Sequence, residues 1–474
     1  MTVARALAAV SLAALAACTV GPDYHRPDVP TPQAFSEPGA SAPASDADLS
    51  RWWLQFHDPV LESLIERALA NNLDLEAAAS RVRQARFGEK VADAAQWPTV
   101  NATGGALTLN SDRGSGASST GAPPQGFQLP GHLNLYSAGF DATWEIDLFG
   151  GVRRQIQEAK ANSEAAVWAR RDGEVTLTAE VAADYMTLRE VQTRIAIGEA
   201  ELARQGDIGK LVGARRQAGF VTNLDVNQQT SATATAAAQL RQLDAQERTE
   251  IHAIAILLGE PPETLEPTLA RGAAQVASPP ILPTGLPSDL LQRRPDIREA
   301  ERKLAAANAE IGVQTAGLYP KLDLLGLASF AAPTVGNLFS SQSFTSAGAG
   351  LLTAPLFNAG KTHAAIGEAR EEATQAQLAY RTAILGALRD AEDALARYRS
   401  EEARRAQLAQ AVGAAANSLA IARDQYRVGL VTFLNVYTAE NTLLGARDQL
   451  AQSDAQSAED LVSLYKALGG GWTT

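Results

Sequence analysis

Residues 219–226 read GFVTNLDV, and residues 429–436 read GLVTFLNV, so one short stretch occurs twice with a spacing of 210 residues. The match continues without a gap as far as Gly259 in the first copy and Gly469 in the second. A repeat of this length indicates that the 474-residue chain consists of two copies of one structural unit, rather than of unrelated domains.

Long helices are predicted in both copies. From Gly151 to about Arg216 the sequence is rich in alanine, contains no proline and places apolar residues at helical spacing. A second helix is expected from about Leu224 to Leu258, and the second half has a long helix that ends near Arg427. At 1.5 Å per residue the first helix would be roughly 100 Å long. A helix of that length requires other long helices to pack against.

A shorter helical stretch precedes the strands of each copy. In the first half it is predicted to run from Leu61 to Gln96, where apolar residues recur every seven positions. Trp97-Pro98 ends it, and Tyr319-Pro320 ends its counterpart in the second half.

Alternating apolar and polar residues predict two pairs of strands. The clearest strand is residues 134–148, in which Trp144 lies on the apolar side, and its partner is at about 99–110. The second pair is predicted at about 321–330 and 346–354. These lengths are typical of tilted strands that cross a bilayer. A soluble hairpin with one face on a core is the alternative.

The strand count has a consequence for assembly. Four strands cannot close a barrel with a lumen, and an open edge in lipid leaves backbone groups unpaired. Two chains would give a plugged eight-stranded barrel, whereas three give twelve strands around a lumen. The predicted fold is therefore mainly α with a membrane β-barrel: two structural repeats per chain, a long α-helical barrel, and a 12-stranded β-barrel shared by a homotrimer.

The N-terminus has the layout of a secretory signal. Residues 1–17 contain one positive residue and a short apolar core, and small residues precede Cys18, the only cysteine. A disulfide framework is therefore impossible. Residues 18–50, rich in proline, alanine and serine, are expected to form a tether. The remaining predicted boundaries are the first repeat at 51–260, a crossover connection at 261–287, the second repeat at 288–470 and a tail at 471–474.

Residues 15–18, LAAC, resemble the bacterial lipobox. The resemblance implies that Cys18 becomes the new N-terminus and carries an N-palmitoyl group and an S-diacylglycerol group, which anchor the chain in a membrane. The alternative is an ordinary signal peptide with an incidental cysteine.

The charge and the distribution of polar residues exclude several functions. The formal net charge of −12 makes nucleic acid an improbable partner, because phosphate binding requires a basic surface. The five histidines are scattered without catalytic or metal-ligand spacing, so the sequence predicts neither an enzyme nor a metal site.

Four motifs together carry a family resemblance: CTVGPDY at residues 18–24, WWLQFHDP at 52–59, RRPDI at 293–297 and PLF at 355–357. The chain is similar, over nearly all of its mature length, to the TolC/OprM superfamily in its NodT-type outer-membrane lipoprotein branch. The resemblance implies an outer-membrane location with the helical barrel in the periplasm. It also implies work with a periplasmic adaptor protein and an inner-membrane transporter, often of the resistance-nodulation-division type.

The function predicted from these features is the exit duct of a tripartite efflux pump that exports drugs or other small toxic compounds. A duct for protein secretion of type I shares the fold and is the alternative. A soluble helical scaffold is a third possibility.

In relatives, residues just after the glycine turn narrow the periplasmic mouth. By this resemblance, Leu434 is the apolar constriction, and Asp225 is an acidic candidate that could equally cap a helix. Asn435 and Thr438 stand where relatives often carry aspartates, which puts a double aspartate ring in doubt. Glu440 is a further acidic candidate.

Overall fold

The computed structural model describes residues 19–30, 32, 34–36, 49–110, 132–269 and 293–472. The predicted signal segment, Cys18, most of the predicted crossover connection and the last two residues lie outside this part of the chain, as does the segment that joins the first two strands.

The secondary structure follows the repeat. The principal α-helices are α1 (Pro59–Asn71), α2 (Leu73–Ala94), α3 (Gly151–Gln217), α4 (Asn223–Leu257), α5 (Pro295–Ala316), α6 (Lys361–Arg427) and α7 (Phe433–Ala467). The described strands are β1 (Thr99–Asn110), β2 (His132–Ile146), β3 (Lys321–Ala332) and β4 (Phe344–Thr353). Among the described helices, none combines the length and the apolar character needed to cross a membrane.

The two copies keep the same helix boundaries. Helices α3 and α6 are both 67 residues long, α4 and α7 are both 35 residues long, and α6 and α7 each begin 210 residues after their counterparts. Gly219 and Gly429 follow the first helix of each pair, with φ of +79° and +81°. The next amide donates to the carbonyl four residues before the glycine, at 2.9 Å and 2.8 Å. Because glycine adopts this left-handed conformation without a steric penalty, it ends both long helices at the same point.

The first helical stretch differs from its prediction. In place of one helix over residues 61–96, the structure has α1 and α2, separated at Asn72, whose backbone is extended. The Asn72 side chain accepts hydrogen bonds from the amides of Asp74 and Leu75, both at 3.0 Å, and donates one to the carbonyl of Leu257 at 2.9 Å. Asn72 thus caps α2 and holds it to the end of α4. Apolar spacing did not show the break, because it continues on both sides.

The described residues belong to two compact units. The first contains the sheet and falls within Met1–Pro27, Arg83–Glu164 and Arg302–Leu378. The second falls within Asp28–Val82, Ala165–Glu301 and Ala379–Thr474.

The core of the second unit explains the WWLQFHDP motif. Trp52 is buried and stacks on Tyr465 of α7, with ring centroids 5.1 Å apart. Asp58 caps α1 by accepting from the amide of Val60 at 2.8 Å, and it also accepts from the hydroxyl of Tyr185 at 2.6 Å. The motif therefore fixes the start of the first repeat to α3 and α7.

The four strands form one antiparallel sheet in the order β1-β2-β3-β4. The central pair joins the repeats, with Trp144 opposite Leu324. Among the described residues, strands β1 and β4 each have a neighbour on one side only. Compared with the predicted bounds, β2 begins and ends two residues earlier and β4 begins two residues earlier.

Candidate functional site: the sheet, the N-terminal strap and the helix-hairpin tips

The two faces of the sheet differ in charge. Side chains alternate along each strand, and opposed residues of all three strand pairs are both odd-numbered or both even-numbered. Odd-numbered residues therefore share one face. Every Asp, Glu and Lys of the described strands lies on this odd face, whereas the even face carries mainly apolar and small residues, with Asn110, His132 and Asn134 at the paired end of β1 and start of β2. The charged residues are Asp141, Glu145, Lys321 and Asp323.

The charges of the odd face are partly paired. Asn101 donates to Asp141 at 3.0 Å, and Lys321 lies 3.1 Å from Glu145, which is opposite Asp323 in the register. Three carboxylates against one ammonium leave this part of the face acidic. An acidic surface attracts cations and repels anions.

Within the part of the chain that the structure describes, no layer covers the even face of β1 or β4. No residue of β1 or β4 is buried, and large side chains such as Val100, Phe140 and Leu352 are exposed. The indole nitrogen of Trp144 donates to the carbonyl of Gln96 at 3.0 Å, which fixes the ring at the end of the strand. The alternative of a soluble hairpin requires one face on a core, and neither edge strand has one. A continuous apolar face of this kind fits lipid.

Residues 19–24, here called the N-terminal strap, are held by a buried arginine at the start of α3. Arg154 is 3% exposed and donates to the carbonyls of Val20 and Gly21, at 3.0 Å and 3.2 Å, and to the carboxylate of Asp23 at 2.8 Å. A side chain on Gly312 would collide with Arg154, since an added Cβ would lie 2.6 Å from its Cγ. The absence of a side chain at Gly312 therefore leaves room for the Arg154 side chain and its hydrogen bonds to the strap.

The rest of the strap is packed as well. Tyr24 contacts an apolar cluster that contains Ala161 and Ala305, and the guanidinium of Arg302 lies 5.8 Å from its ring centroid. Asn308 donates to the carbonyl of Pro22 at 3.1 Å. These contacts differ from the expected tether, because the chain is bound to the helices within one residue of its first described position.

Sequence reasoning missed Arg154. Its counterpart 210 residues later is Ala364, so the arginine occurs in only one copy. The signal available in the sequence was the difference between Arg154 and Ala364 in two otherwise similar copies. Only the first copy has a strap for an arginine to bind.

The first helix-hairpin tip is residues 218–226. The carboxylate of Asp225 accepts from both the amide and the hydroxyl of Thr222, each at 2.9 Å, and so caps the start of α4. The capping role that the sequence left open for Asp225 is therefore observed. Phe220 and Leu224 are exposed beside it.

The second tip is residues 428–438, where the two copies differ. The hydroxyl of Thr432 donates to Asn435 at 2.9 Å, and that of Thr438 donates to the carbonyl of Leu434 at 2.8 Å. The Leu434 side chain is 55% exposed. Replacing aspartate by asparagine at this turn keeps the contact with the threonine hydroxyl and removes the charge.

Glu440 is placed differently from the other predicted mouth residues. It is 2% exposed, and its carboxylate accepts from Arg423 at 2.7 Å and from Gln205 at 3.3 Å. Burial raises the pKa of Glu440, with a further rise from the charge of Glu201 and an opposing effect of Arg423. Glu440 joins α3, α6 and α7 inside the chain, whereas Leu434, Asn435, Thr438 and Asp225 lie at the tips.

Sequence reasoning also missed the polar partners of Glu440. Gln205 donates to Glu201 at 2.8 Å and its carbonyl accepts from Gln229 at 2.8 Å. Glutamines on helices that are 67 and 35 residues long gave no signal, because most such side chains are solvated. Within the described residues, no group of His, Asp or Glu is arranged to hold a metal ion.

Comparison with known proteins places the chain in a family. The family model described as outer membrane efflux protein matches residues 64–260 and 286–470, which is most of the chain. The chain belongs to the outer membrane efflux protein family. It is a transport protein of the outer membrane and serves as an exit duct for efflux; it is not an enzyme.

Individual members of the outer membrane efflux protein family resemble the chain over nearly its whole length. The pyoverdine export outer membrane protein OpmQ of Pseudomonas aeruginosa is 36% identical over 435 residues, which cover 91% of this chain and 90% of the relative. The probable efflux pump outer membrane protein TtgC of Pseudomonas putida is 32% identical and covers 98% of this chain and 95% of its own. The structure of the outer-membrane channel OprN superposes with a TM-score of 0.87 at 33% identity, covering 96% of this chain and all of that one.

Proposed function

We propose that three copies of this chain close a twelve-stranded barrel in the outer membrane, and that their long helices form an α-helical barrel in the periplasm. The observation that carries the proposal is the four-stranded sheet, in which β1 and β4 each lack one neighbour within the described ranges of the chain. Backbone groups left unpaired in lipid cost several kcal/mol each, so another copy must supply the missing strands. In this arrangement the even face meets lipid and the acidic odd face lines the lumen.

The proposed lipid anchor is an N-palmitoyl and S-diacylglycerol modification of Cys18. The strap supports it, because Thr19 lies against Gly150, which is four residues after the end of β2 and directly precedes α3. Consecutive Cα atoms are about 3.8 Å apart, so a lipid on residue 18 would be attached close to the point where the chain leaves the sheet. The lipid and the sheet would then enter the same membrane.

The proposed assembly is a tripartite pump with a periplasmic adaptor protein and an inner-membrane transporter of the resistance-nodulation-division type. Relatives are named for the export of pyoverdine and toluene. We extend this to small organic compounds that are toxic to the cell. The apolar residues at both tips favour a protein partner there, because large apolar side chains are otherwise buried.

Deletion of the gene tests the proposal. Loss of the duct should increase susceptibility to drugs and solvents, and a plasmid copy should restore resistance while a Cys18→Ser copy should restore less. Assay of secreted proteins in the same strains distinguishes the type I alternative. Unchanged susceptibility together with the loss of one secreted protein would overturn efflux in favour of protein secretion.

The periplasmic gate is proposed at the two tips, with Leu434 of the second tip as its apolar constriction and with Asp225, Asn435 and Thr438 as further gate residues. Glu440 would hold the helices together from inside. In planar bilayers, Leu434→Ala should raise single-channel conductance because it widens a constriction, and Asp225→Ala should raise it by removing a helix cap. Unchanged conductance in both variants would move the gate elsewhere.

A further inference from the structure

The junction between the two repeats contains an aromatic stack. Phe149 follows β2, Tyr319 precedes β3, and their rings stack with centroids 4.7 Å apart and an interplanar angle of 23°. These two strands are neighbours in the sheet. The stack therefore closes the end of the β2–β3 pair, where both strands join helices.

The counterparts of these two residues in the other copy have no such ring contact with the residues that the structure describes. Leu356-Phe357 repeats Leu148-Phe149 at an offset of 208, and Trp97-Pro98 repeats Tyr319-Pro320 at an offset of 222. Phe357 is 90% exposed, Leu356 is 96% exposed and Trp97 is 68% exposed. Side chains of this size are rarely left so open, and an exposed apolar group of this kind marks an interaction surface.

We infer that Phe357 of one copy stacks on Trp97 of a second copy, in the way that Phe149 stacks on Tyr319 within the chain. The inference rests on the proposed barrel and adds the residues that join its subunits. Strand β4 then pairs with β1 of that second copy, as β2 pairs with β3. Leu356 and Phe357 follow β4, at one edge of the sheet. Trp97 precedes β1, at the other edge, and contacts them in the second copy.

The same equivalence fixes the register of the new strand pair. Thr353 takes the place of Glu145 (353 − 208) and Asn101 takes the place of Asp323 (101 + 222), and Glu145 is opposite Asp323 within the chain. Thr353 is therefore opposite Asn101 of the second copy. Both are odd-numbered, so the charged face and the apolar face each continue across the joint. This continuity of the two faces is not a necessary consequence of the repeat. If the register were shifted by one residue, the charged face of one copy would meet the apolar face of the next.

The joint is head-to-tail, since different surfaces of the two copies meet. A contact of this type closes into a ring when its rotation is a whole fraction of a turn. Every copy in such a ring uses Phe357 once and Trp97 once. No copy is left with an unpaired strand edge, which is the condition that lipid imposes.

Paired cysteines test the contact. Trp97→Cys and Phe357→Cys are introduced together and separately, and the membranes are treated with a short thiol-reactive crosslinker. The matched control is Phe149→Cys with Tyr319→Cys, the equivalent pair inside one chain. We expect products between chains only from the Trp97/Phe357 pair, and a product of single-chain size from the control. Single variants also show whether the native Cys18 reacts.

Co-expression of two differently tagged chains separates the possible outcomes. One chain carries only Trp97→Cys and the other only Phe357→Cys, and a crosslink must join the two tags. Crosslinks between identical single variants would instead indicate a two-fold contact and overturn the inference. A less disruptive pair, Asn101→Cys with Thr353→Cys, tests the register if the aromatic variants do not reach the membrane. Absence of crosslinks in both pairs would also overturn it.

Failure of the inference is distinguishable from failure of the proposed duct. The size of the unmodified protein in detergent and its restoration of drug resistance are measured in parallel. A trimer that restores resistance but shows neither crosslink has a different joint. A monomer that restores nothing contradicts the duct itself.

Discussion

A single side chain, Arg154, determines where the N-terminal strap lies. Its guanidinium satisfies three acceptors of the strap, two of which are backbone carbonyls. Hydrogen bonds that involve a charged group contribute about 1.5–3 kcal/mol each, so their combined loss should release the strap without unfolding α3.

Arg154→Ala should accelerate hydrogen exchange at Val20, whose amide donates to the carbonyl of Phe149 at 3.0 Å. A loss of about 2–3 kcal/mol of local stability corresponds to an increase in exchange of roughly 30- to 150-fold, because 1.4 kcal/mol is a factor of ten. Mass spectrometry of N-terminal peptides measures it. The matched control is Arg153→Ala, which removes the side-chain contacts to Asp147 and leaves the Arg154 contacts with the strap in place. Equal exchange in the two variants would show that Arg154 does not hold the strap.

Glu158 is a residue at which stability should depend on pH. Burial, a hydrogen bond with Glu310 and the charges of Glu310 and Glu372 raise its pKa from 4.5 to about 7. A carboxyl group with a raised pKa binds its proton more tightly in the folded protein. Its contribution to stability is therefore complete below pH 4.5 and is lost as the pH rises through 7.

Glu158→Gln should stabilise the protein at pH 8 and leave it nearly unchanged at pH 4.5, because glutamine has no charge to bury. We expect a gain of about 1 kcal/mol, reduced from the full value of the shift because the group is only half-buried. Thermal unfolding of the detergent-solubilised protein at both pH values provides the measurement. A gain of the same size at both values would point to packing rather than ionisation.

At the scale of secondary-structure elements, glycine geometry sets the length of the long helices. Gly429 has φ of +81°, a conformation that costs other residues about 1–2 kcal/mol. Gly413, in the middle of α6, is exposed and has open space around its Cα. The same substitution should therefore have opposite effects at the two sites.

Gly429→Ala should lower the unfolding temperature. Gly413→Ala should raise the unfolding temperature, because alanine favours a helix and adds up to about 1 kcal/mol to the free energy of unfolding. Thermal unfolding of both variants in one detergent makes the comparison direct. A stabilising Gly429→Ala would contradict the view that this turn requires a left-handed residue.

Local sequence patterns predicted the bounds of most helices and strands closely. Proline-free alanine-rich sequence predicted α3 to within one residue of its observed end at Gln217. The partner strand of β2, although less clearly patterned, was predicted at residues 99–110, which are the observed bounds of β1. The break at Asn72 was missed because its cause is a hydrogen bond to Leu257, which is 185 residues away in the chain.

At the scale of the whole molecule, the charge difference between the two faces of the sheet determines which face meets lipid. Phe140 and Thr143 lie near each other on β2, on the even and the odd face. An arginine on the lipid face of a barrel costs about 2–4 kcal/mol at the bilayer centre, whereas a lumen position tolerates it.

Phe140→Arg should strongly reduce the amount of oligomer in outer-membrane fractions, and Thr143→Arg should leave that amount unchanged while altering ion selectivity. Immunoblots of separated membranes and reversal potentials in planar bilayers measure the two effects. The reverse result would exchange the faces assigned to lipid and lumen.

The sequence by itself determined the repeat, the long helices, the alternation of the strands and the family, because each depends on neighbouring residues or on a match along the chain. Only the tertiary structure decided that Arg154 holds the strap, that Glu440 is buried against Arg423, and that Phe357 and Trp97 are left exposed. Those three outcomes depend on contacts between distant segments. Local periodicity carries no information about such contacts, since it is the same whether a side chain faces a partner or solvent.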